Sequence, residues 1–167
     1  MNQDLQRTLI LLKPDAVQRG LMGRIISRFE DVGLKIVGAK MILASEELAS
    51  SHYGDLDIRR GAAVKKQVVD MITKIGPVMA LVLEGIEAVD QVRMMVGPTE
   101  PKSALPGTIR GDFAHVSFKY ADQKSIGIKN LIHASGNADE AKVEVSLWFK
   151  DEELHTYRSV HDTHILE

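Results

Sequence analysis

Thr8-Leu9-Ile10-Leu11-Leu12-Lys13-Pro14-Asp15 is a short, mainly apolar run stopped by a proline, and it reads as a buried strand. Asp15 is placed to cap a first turn, which Gly20 then interrupts. Outward from there, Leu21, Ile25, Ile26, Phe29 and Val32 recur at helical spacing, and Gly33 ends that helix. Leu34 to Leu43 alternates through Leu34, Ile36, Met41 and Leu43, with Gly38 as a bulge or twist point in a second strand. Ser45 followed by Glu46 and Glu47 starts a short helix reaching about Tyr53. Val64, Val68, Met71, Ile72 and Ile75 mark a further helix, which Gly76-Pro77 stops. Val78 to Glu84 is a third strand, and Val89, Val92 and Val96 lie on a helix closed by Gly97-Pro98. Ile128 to His133 supplies a fourth strand. Asn137 and Glu140 form a capping-box pattern that opens a helix to about Phe149, and Lys150 to Glu167 is a polar tail. Without the extra helices in the middle, the order is β-α-β-β-α-β. The expected fold is therefore α+β and ferredoxin-like, an antiparallel sheet with helices on one face and added helices and loops.

The 167 residues make a single domain, and a 44% apolar, 26% charged composition argues against disorder. A net charge of −2 gives no reason to expect a nucleic-acid backbone or an anionic membrane as partner. Cysteine is absent, which excludes disulfides, thiolate chemistry and cysteine-based zinc sites. Met1 to Arg7 lacks a basic-then-apolar leader and no apolar stretch approaches a bilayer span, so the expectation is a soluble, cytoplasmic protein.

Gly97 to Gly111 breaks the pattern. Pro98, Pro101, Pro106, Gly107 and Gly111 preclude a regular helix or central strand there, and Thr99, Lys102, Thr108 and Arg110 are phosphate-type donors. Of the six histidines, His161 and His164 read as part of a solvated tail, and His52, His115 and His155 as surface or packing residues. His133 differs: it ends an apolar run just before Ala134-Ser135-Gly136-Asn137 and a helix N-terminus, where an anion can be met. On the residues alone, a packing role remains the commoner explanation. Lys13, Arg93 and Arg110 lie at strand-end, helix and loop positions and offer a point charge and two planar forks for phosphate oxygens. A P-loop and a protein-kinase signature set are both absent from the sequence.

The chain from Thr8 to Gly20 resembles the opening strand and loop of nucleoside diphosphate kinases. So do Pro106-Gly107-Thr108-Ile109-Arg110-Gly111-Asp112-Phe113, Asn130-Leu131-Ile132-His133-Ala134-Ser135 and Glu144-Val145-Ser146-Leu147-Trp148-Phe149. The blocks keep the family's order from Thr8 to about Leu154. The resemblance implies transfer of a γ-phosphoryl group from a nucleoside triphosphate, typically ATP, to a nucleoside diphosphate. His133 is then the transient phosphohistidine, Glu144 orients its ring, and Ser135 stands beside Glu144. It also implies that Arg93, Thr99 and Arg110 hold phosphates, that Lys13 and Asn130 bind ribose and a phosphate oxygen, and that Tyr53 orders Lys13. Mg2+ would arrive on the nucleotide phosphates with no dedicated protein ligands, and the assembly would be a homo-oligomer, a tetramer or hexamer of dimers.

Three departures from that family stand out. The segment after Tyr53 carries no aromatic residue for the base, leaving Ile58, Arg59 or Arg60 to contact it. His115 to Ile128 is an added hairpin or loop. His133-Ala134-Ser135-Gly136 stands where the family commonly has His-Gly-Ser-Asp. Two rival functions are a non-catalytic nucleotide-binding regulator on the same fold and a nucleic-acid-binding sheet. An intact nucleophile with its orienter argues against the first, and the net charge and few aromatics against the second.

Overall fold

The run after Thr8 is buried on both sides: Leu9 and Leu11 point into one apolar layer, Ile10 and Leu12 into the other, and none is more than 1% exposed. Residues 4–165 are described in the computed structural model. They run β1 (Leu5–Leu12), α1 (Pro14–Gln18), α2 (Met22–Asp31), β2 (Lys35–Ile42), α3 (Glu46–His52), α4 (Leu56–Arg60), α5 (Ala62–Lys74) and β3 (Val78–Ile86). Then follow α6 (Ala88–Val96), α7 (Ile109–Phe113), α8 (Phe118–Gln123), β4 (Ile132–Ala134), α9 (Ala138–Trp148) and α10 (Asp162–Ile165). The strands form one antiparallel sheet in the order β2-β3-β1-β4. β1 and β3 occupy the middle, so both read as nearly continuous apolar runs.

This is the expected ferredoxin-like α+β core. The crossover helices α2 and α6 share one face with Ile10, Leu12, Leu81 and Leu83. The added helices α3, α5 and α9 cover the opposite face, over Leu9, Leu11, Ala80 and Val82. Ser45 caps α3 by accepting the Leu48 N–H, as its position predicts. The β2–β3 register slips between Ile36 and Gly38, which places the predicted bulge. A Cβ on Gly38 would stand 2.8 Å from the Leu154 side chain and 3.1 Å from the Phe149 ring, so any larger residue would have to displace them. Met71 is core, whereas Met94 is 65% exposed.

Several local expectations need correction. Gly97 to Gly111 contains a 3-10 turn at Pro101–Ser103 and ends in the start of α7, because the Thr108 hydroxyl caps that helix by accepting the Gly111 N–H. His115 to Ile128 is not a hairpin: Ser117 accepts the Tyr120 N–H and starts α8, whose Ala121 packs inward. The fourth strand is only three residues long and begins at Ile132 rather than Ile128, since Leu131 sits at φ 72° and breaks the extended run. Asp15 does not cap α1; its carboxylate accepts the Leu131 N–H at 2.9 Å. The tail is not simply solvated. The His155 N–H donates to the Val37 carbonyl at the edge of β2, Lys40 pairs with Glu153, and buried Lys35 joins Glu84 to Asp162. His161 and His164 are exposed, as expected.

Candidate active site

Three elements bring the reactive groups together beside β1. β4 pairs Ile132 and His133 with Leu12 and Leu11, which sets His133 next to the end of β1 and Lys13. The inward stripe of α9 is Ala141, Glu144, Val145 and Trp148, so a carboxylate occupies an otherwise apolar helical face and is carried over β1. α3 ends at His52-Tyr53 against the same spot.

Glu144 Oε2 lies 3.0 Å from His133 Nε2 and accepts the Ser135 hydroxyl at 2.6 Å. Ser135 is fully buried, and its oxygen also accepts the Leu9 N–H. Burial raises the Glu144 pKa above the usual carboxylate value, while His52 and the Ser135 hydrogen bond pull against the rise. His133 is pushed down to about 3, by burial first and then by Lys13, Arg110 and Arg93. It is a neutral imidazole at physiological pH, and 19% of its side chain remains open to the cleft. With Nε2 bound to Glu144, Nδ1 has no hydrogen-bond partner among the described residues.

His52, read from the sequence as a packing residue, is part of this centre. Its side chain is fully buried, and its ring stands edge-on to that of His133, with centroids 4.3 Å apart and an interplanar angle of 82°. The Trp148 indole N–H donates to His52 Nδ1, so the indole fixes the His52 tautomer. Burial, then His133, pushes His52 down to about 3. Tyr53 packs edge-on against His52; its buried hydroxyl has no partner, and burial raises its pKa far above the ordinary phenol value. It makes no hydrogen bond to Lys13 among the described residues.

Lys13 is buried, and its ammonium donates to Asn130 Oδ1 at 2.7 Å; burial lowers its pKa to about 8, with Asp15 opposing the shift. The Asn130 amide donates in turn to the Thr99 carbonyl. Arg110 spends three N–H groups on the carbonyls of Asn130, Gly97 and Ile132, leaving two of its five donors for a ligand. Burial and Arg93 lower the Arg110 pKa to about 10. Arg93 is exposed and, among the described residues, reaches only the Ser135 carbonyl, at 3.5 Å.

These groups line a cleft of about 1050 Å³. Arg59 and Arg60 line it as well, but Ile58 does not and is 87% exposed. Arg59 is tied to Asp55, whereas Arg60 lies over the Phe118 ring at 4.6 Å. Phe118 belongs to α8 and also lines the cleft, so the segment read as an insertion brings an aromatic face that the stretch after Tyr53 lacks. At Gly136, where the family's acid is missing, the Glu140 carboxylate accepts the backbone N–H and fills the space a Cβ would need. The one cluster with metal-ligand spacing among the described residues is His52, His133 and Glu144. Its carboxylate is already engaged, and Lys13, Arg93 and Arg110 set a positive field around it, so it is a poor cradle for a cation and the cleft a good one for phosphates.

A neutral, half-buried histidine oriented by a carboxylate and surrounded by three cations is suited to meeting phosphates, and comparison with known proteins gives the family of the chain. The family model described as nucleoside diphosphate kinase matches residues 6–154. The nucleoside diphosphate kinase of Borreliella burgdorferi is 49% identical over 156 residues, covering 92% of this chain and 93% of its own. That of Pyrococcus horikoshii is 51% identical over 154 residues, covering 92% and 91%. Among solved structures, a transition-state mimic of the Borrelia burgdorferi enzyme with bound vanadate and ADP superposes with a TM-score of 0.96 at 46% identity, covering 99% of each chain. The Halobacterium salinarum enzyme in complex with CDP gives a TM-score of 0.83 at 39% identity, covering 97% of this chain and 99% of that one. The chain belongs to the nucleoside diphosphate kinase family, and it is a phosphotransferase.

Proposed function

We propose that this protein moves the γ-phosphoryl group of a nucleoside triphosphate, typically ATP, onto His133 and from there onto a second nucleoside diphosphate. The observation that carries the reading is the Glu144–His133 hydrogen bond, which occupies Nε2 and leaves Nδ1 as the nucleophile. The Nδ1 lone pair attacks the γ-phosphorus and an N–P bond forms. The bond from phosphorus to the β–γ bridging oxygen breaks, and the diphosphate leaves with that electron pair. The imidazolium that develops keeps its Nε2 proton, and Glu144 stabilises the charge. The reverse sequence with a second diphosphate frees His133. Because its pKa lies near 3, His133 need lose no proton before attack.

Arg93 and the two spare donors of Arg110 hold the equatorial oxygens, with Thr99 beside them. Lys13 and Asn130, joined to each other, meet the ribose hydroxyls and the nearby phosphate oxygen. Tyr53 acts as a wall against His52 and His133. Contact with the base falls to Arg60 with Phe118, and to Arg59, rather than to Ile58. Mg2+ would be carried by the phosphate oxygens, neutralising charge there. In solution we expect a homo-oligomer, a tetramer or hexamer of dimers; exposed Met41 and Leu43 at the end of edge strand β2 support such a contact. A cytoplasmic location accords with the absence, among the described residues, of a helix long and apolar enough to cross a membrane.

The test is steady-state turnover with ATP and several diphosphates at varied concentrations. Parallel double-reciprocal lines are expected for one site used in turn, and intersecting lines would refute the covalent relay.

A further inference from the structure

Asp15 looks at first like a surplus acid. It is buried, it does not cap the helix in whose first turn it lies, and one of its oxygens, Oδ1, has no partner among the described residues. Its other oxygen accepts the Leu131 N–H at 2.9 Å, across 116 residues of chain. Leu131 is fully buried at φ 72°, a conformation that residues other than glycine rarely adopt and that persists only where the surroundings hold it. The Ile132 N–H donates to the Asn130 carbonyl at 2.9 Å, closing a three-residue γ-turn about Leu131. The Leu131 carbonyl accepts the Lys13 N–H at 2.8 Å, and Arg110 binds the carbonyls on either side, those of Asn130 and Ile132. His133 follows two residues later. A relaxed turn would shift the start of β4 and with it the distance from His133 to Glu144.

We propose that Asp15 is a positioning residue for His133: its carboxylate holds Leu131 in the γ-turn that sets the nucleophile's place on β4. The inference rests on the phosphohistidine reading above. A side-chain acceptor is needed because the Leu131 N–H, turned inward by the positive φ, has no carbonyl partner among the described residues and would otherwise be buried without one. Asp15 also faces Lys13, whose pKa it raises, so the charge and the acceptor are separable contributions.

The test compares Asp15→Asn with Asp15→Ala. Asparagine keeps an acceptor for the Leu131 N–H and loses the charge, whereas alanine loses both. Single-turnover phosphorylation of His133 by Mg-ATP is timed by rapid quench, and nucleotide affinity is measured separately by titration calorimetry. The expected result is roughly a hundredfold slower phosphoryl uptake in Asp15→Ala, with affinity changed by less than about threefold and the rate largely restored in Asp15→Asn. Thermal melts show which variants remain folded. If Asp15→Ala is unfolded, Asp15→Asn carries the test: near-normal uptake is expected, and a loss as deep as roughly a hundredfold would overturn the proposal. Wild-type uptake rates in folded Asp15→Ala would overturn it as well. A wild-type protein that takes up no phosphoryl group would sink the proposed function instead, which keeps the two failures distinct.

Discussion

Replacing Glu144 with glutamine keeps the side chain's shape and removes its charge. In the wild type one carboxylate oxygen serves both the His133 Nε2–H, at 3.0 Å, and the Ser135 hydroxyl, at 2.6 Å. Before reaction the histidine is neutral and the glutamine amide can still accept a hydrogen bond from it. As phosphorus bonds to Nδ1 the ring becomes cationic, and the difference between a charge-assisted and a neutral hydrogen bond is then felt in full. That difference is about 1–2 kcal/mol, which corresponds to a rate loss of roughly 5- to 30-fold. Glu144 is too deep to be screened, with 12% of its side chain exposed, and it makes no contact in the cation cluster that would receive the phosphates. The loss should therefore fall on the phosphorylation step and spare nucleotide affinity. Rapid-quench phosphorylation with Mg-ATP, beside equilibrium titration of ADP, measures the two separately. A glutamine variant that phosphorylates within about twofold of wild type would refute the orienting role, and so would a loss that appeared only in affinity.

Further outcomes follow from the same contacts. Since His133 protonates only at about 3, uptake should show no loss centred near the ordinary histidine value of 6.5; an acid limb, when reached, belongs to Glu144, whose pKa burial raises. A pH–rate profile with a midpoint near 6.5 would contradict this. On the alkaline side Lys13, lowered to about 8, loses its charge first, so nucleotide affinity should weaken above that pH. Stability should fall in acid: His52 and His133 titrate at about 3 when folded against 6.5 unfolded, so the unfolded chain binds more protons between those values and stability rises with pH across that window. Each costs about 2 kcal/mol by roughly pH 5, to be read from urea midpoints at that pH and at neutrality. Ser135→Ala should destabilise by about 1–3 kcal/mol, because the Leu9 N–H loses its side-chain acceptor and Glu144 a donor; a midpoint unchanged in urea would count against it. Phe118→Ala should raise KM for nucleotides while leaving kcat close to wild type, and an unchanged KM would remove Phe118 from base contact.

What could be read in the sequence was what local pattern controls. β1 and β3 are buried on both faces, so their apolar runs are almost unbroken, and Ser45, Gly38 and Asn137 each act within a few residues of themselves. The start of β4 is not legible because it depends on Leu131 being held by Asp15, and neither residue's own neighbourhood shows that. For the same reason Asp15 looked like a helix cap. His52 left no pattern either, as its importance comes from the Trp148 N–H arriving from α9, 96 residues away. Glu144 did leave one: it is the acid in the apolar stripe of Ala141, Val145 and Trp148. The proposed base contact is only half legible, because Arg60 finds its ring on α8, within a stretch whose polar, irregular composition conceals a short helix.

Whether His133 carries the phosphoryl group is decided by intact-protein mass spectrometry after mixing with Mg-ATP and no acceptor, with His133→Ala alongside. The expected result is one added phosphoryl group that is lost in acid, absent from the variant and discharged by GDP. A folded, nucleotide-binding wild type that gains no such mass, or a His133→Ala variant that gains it equally, would rule out His133 as the phosphoryl carrier.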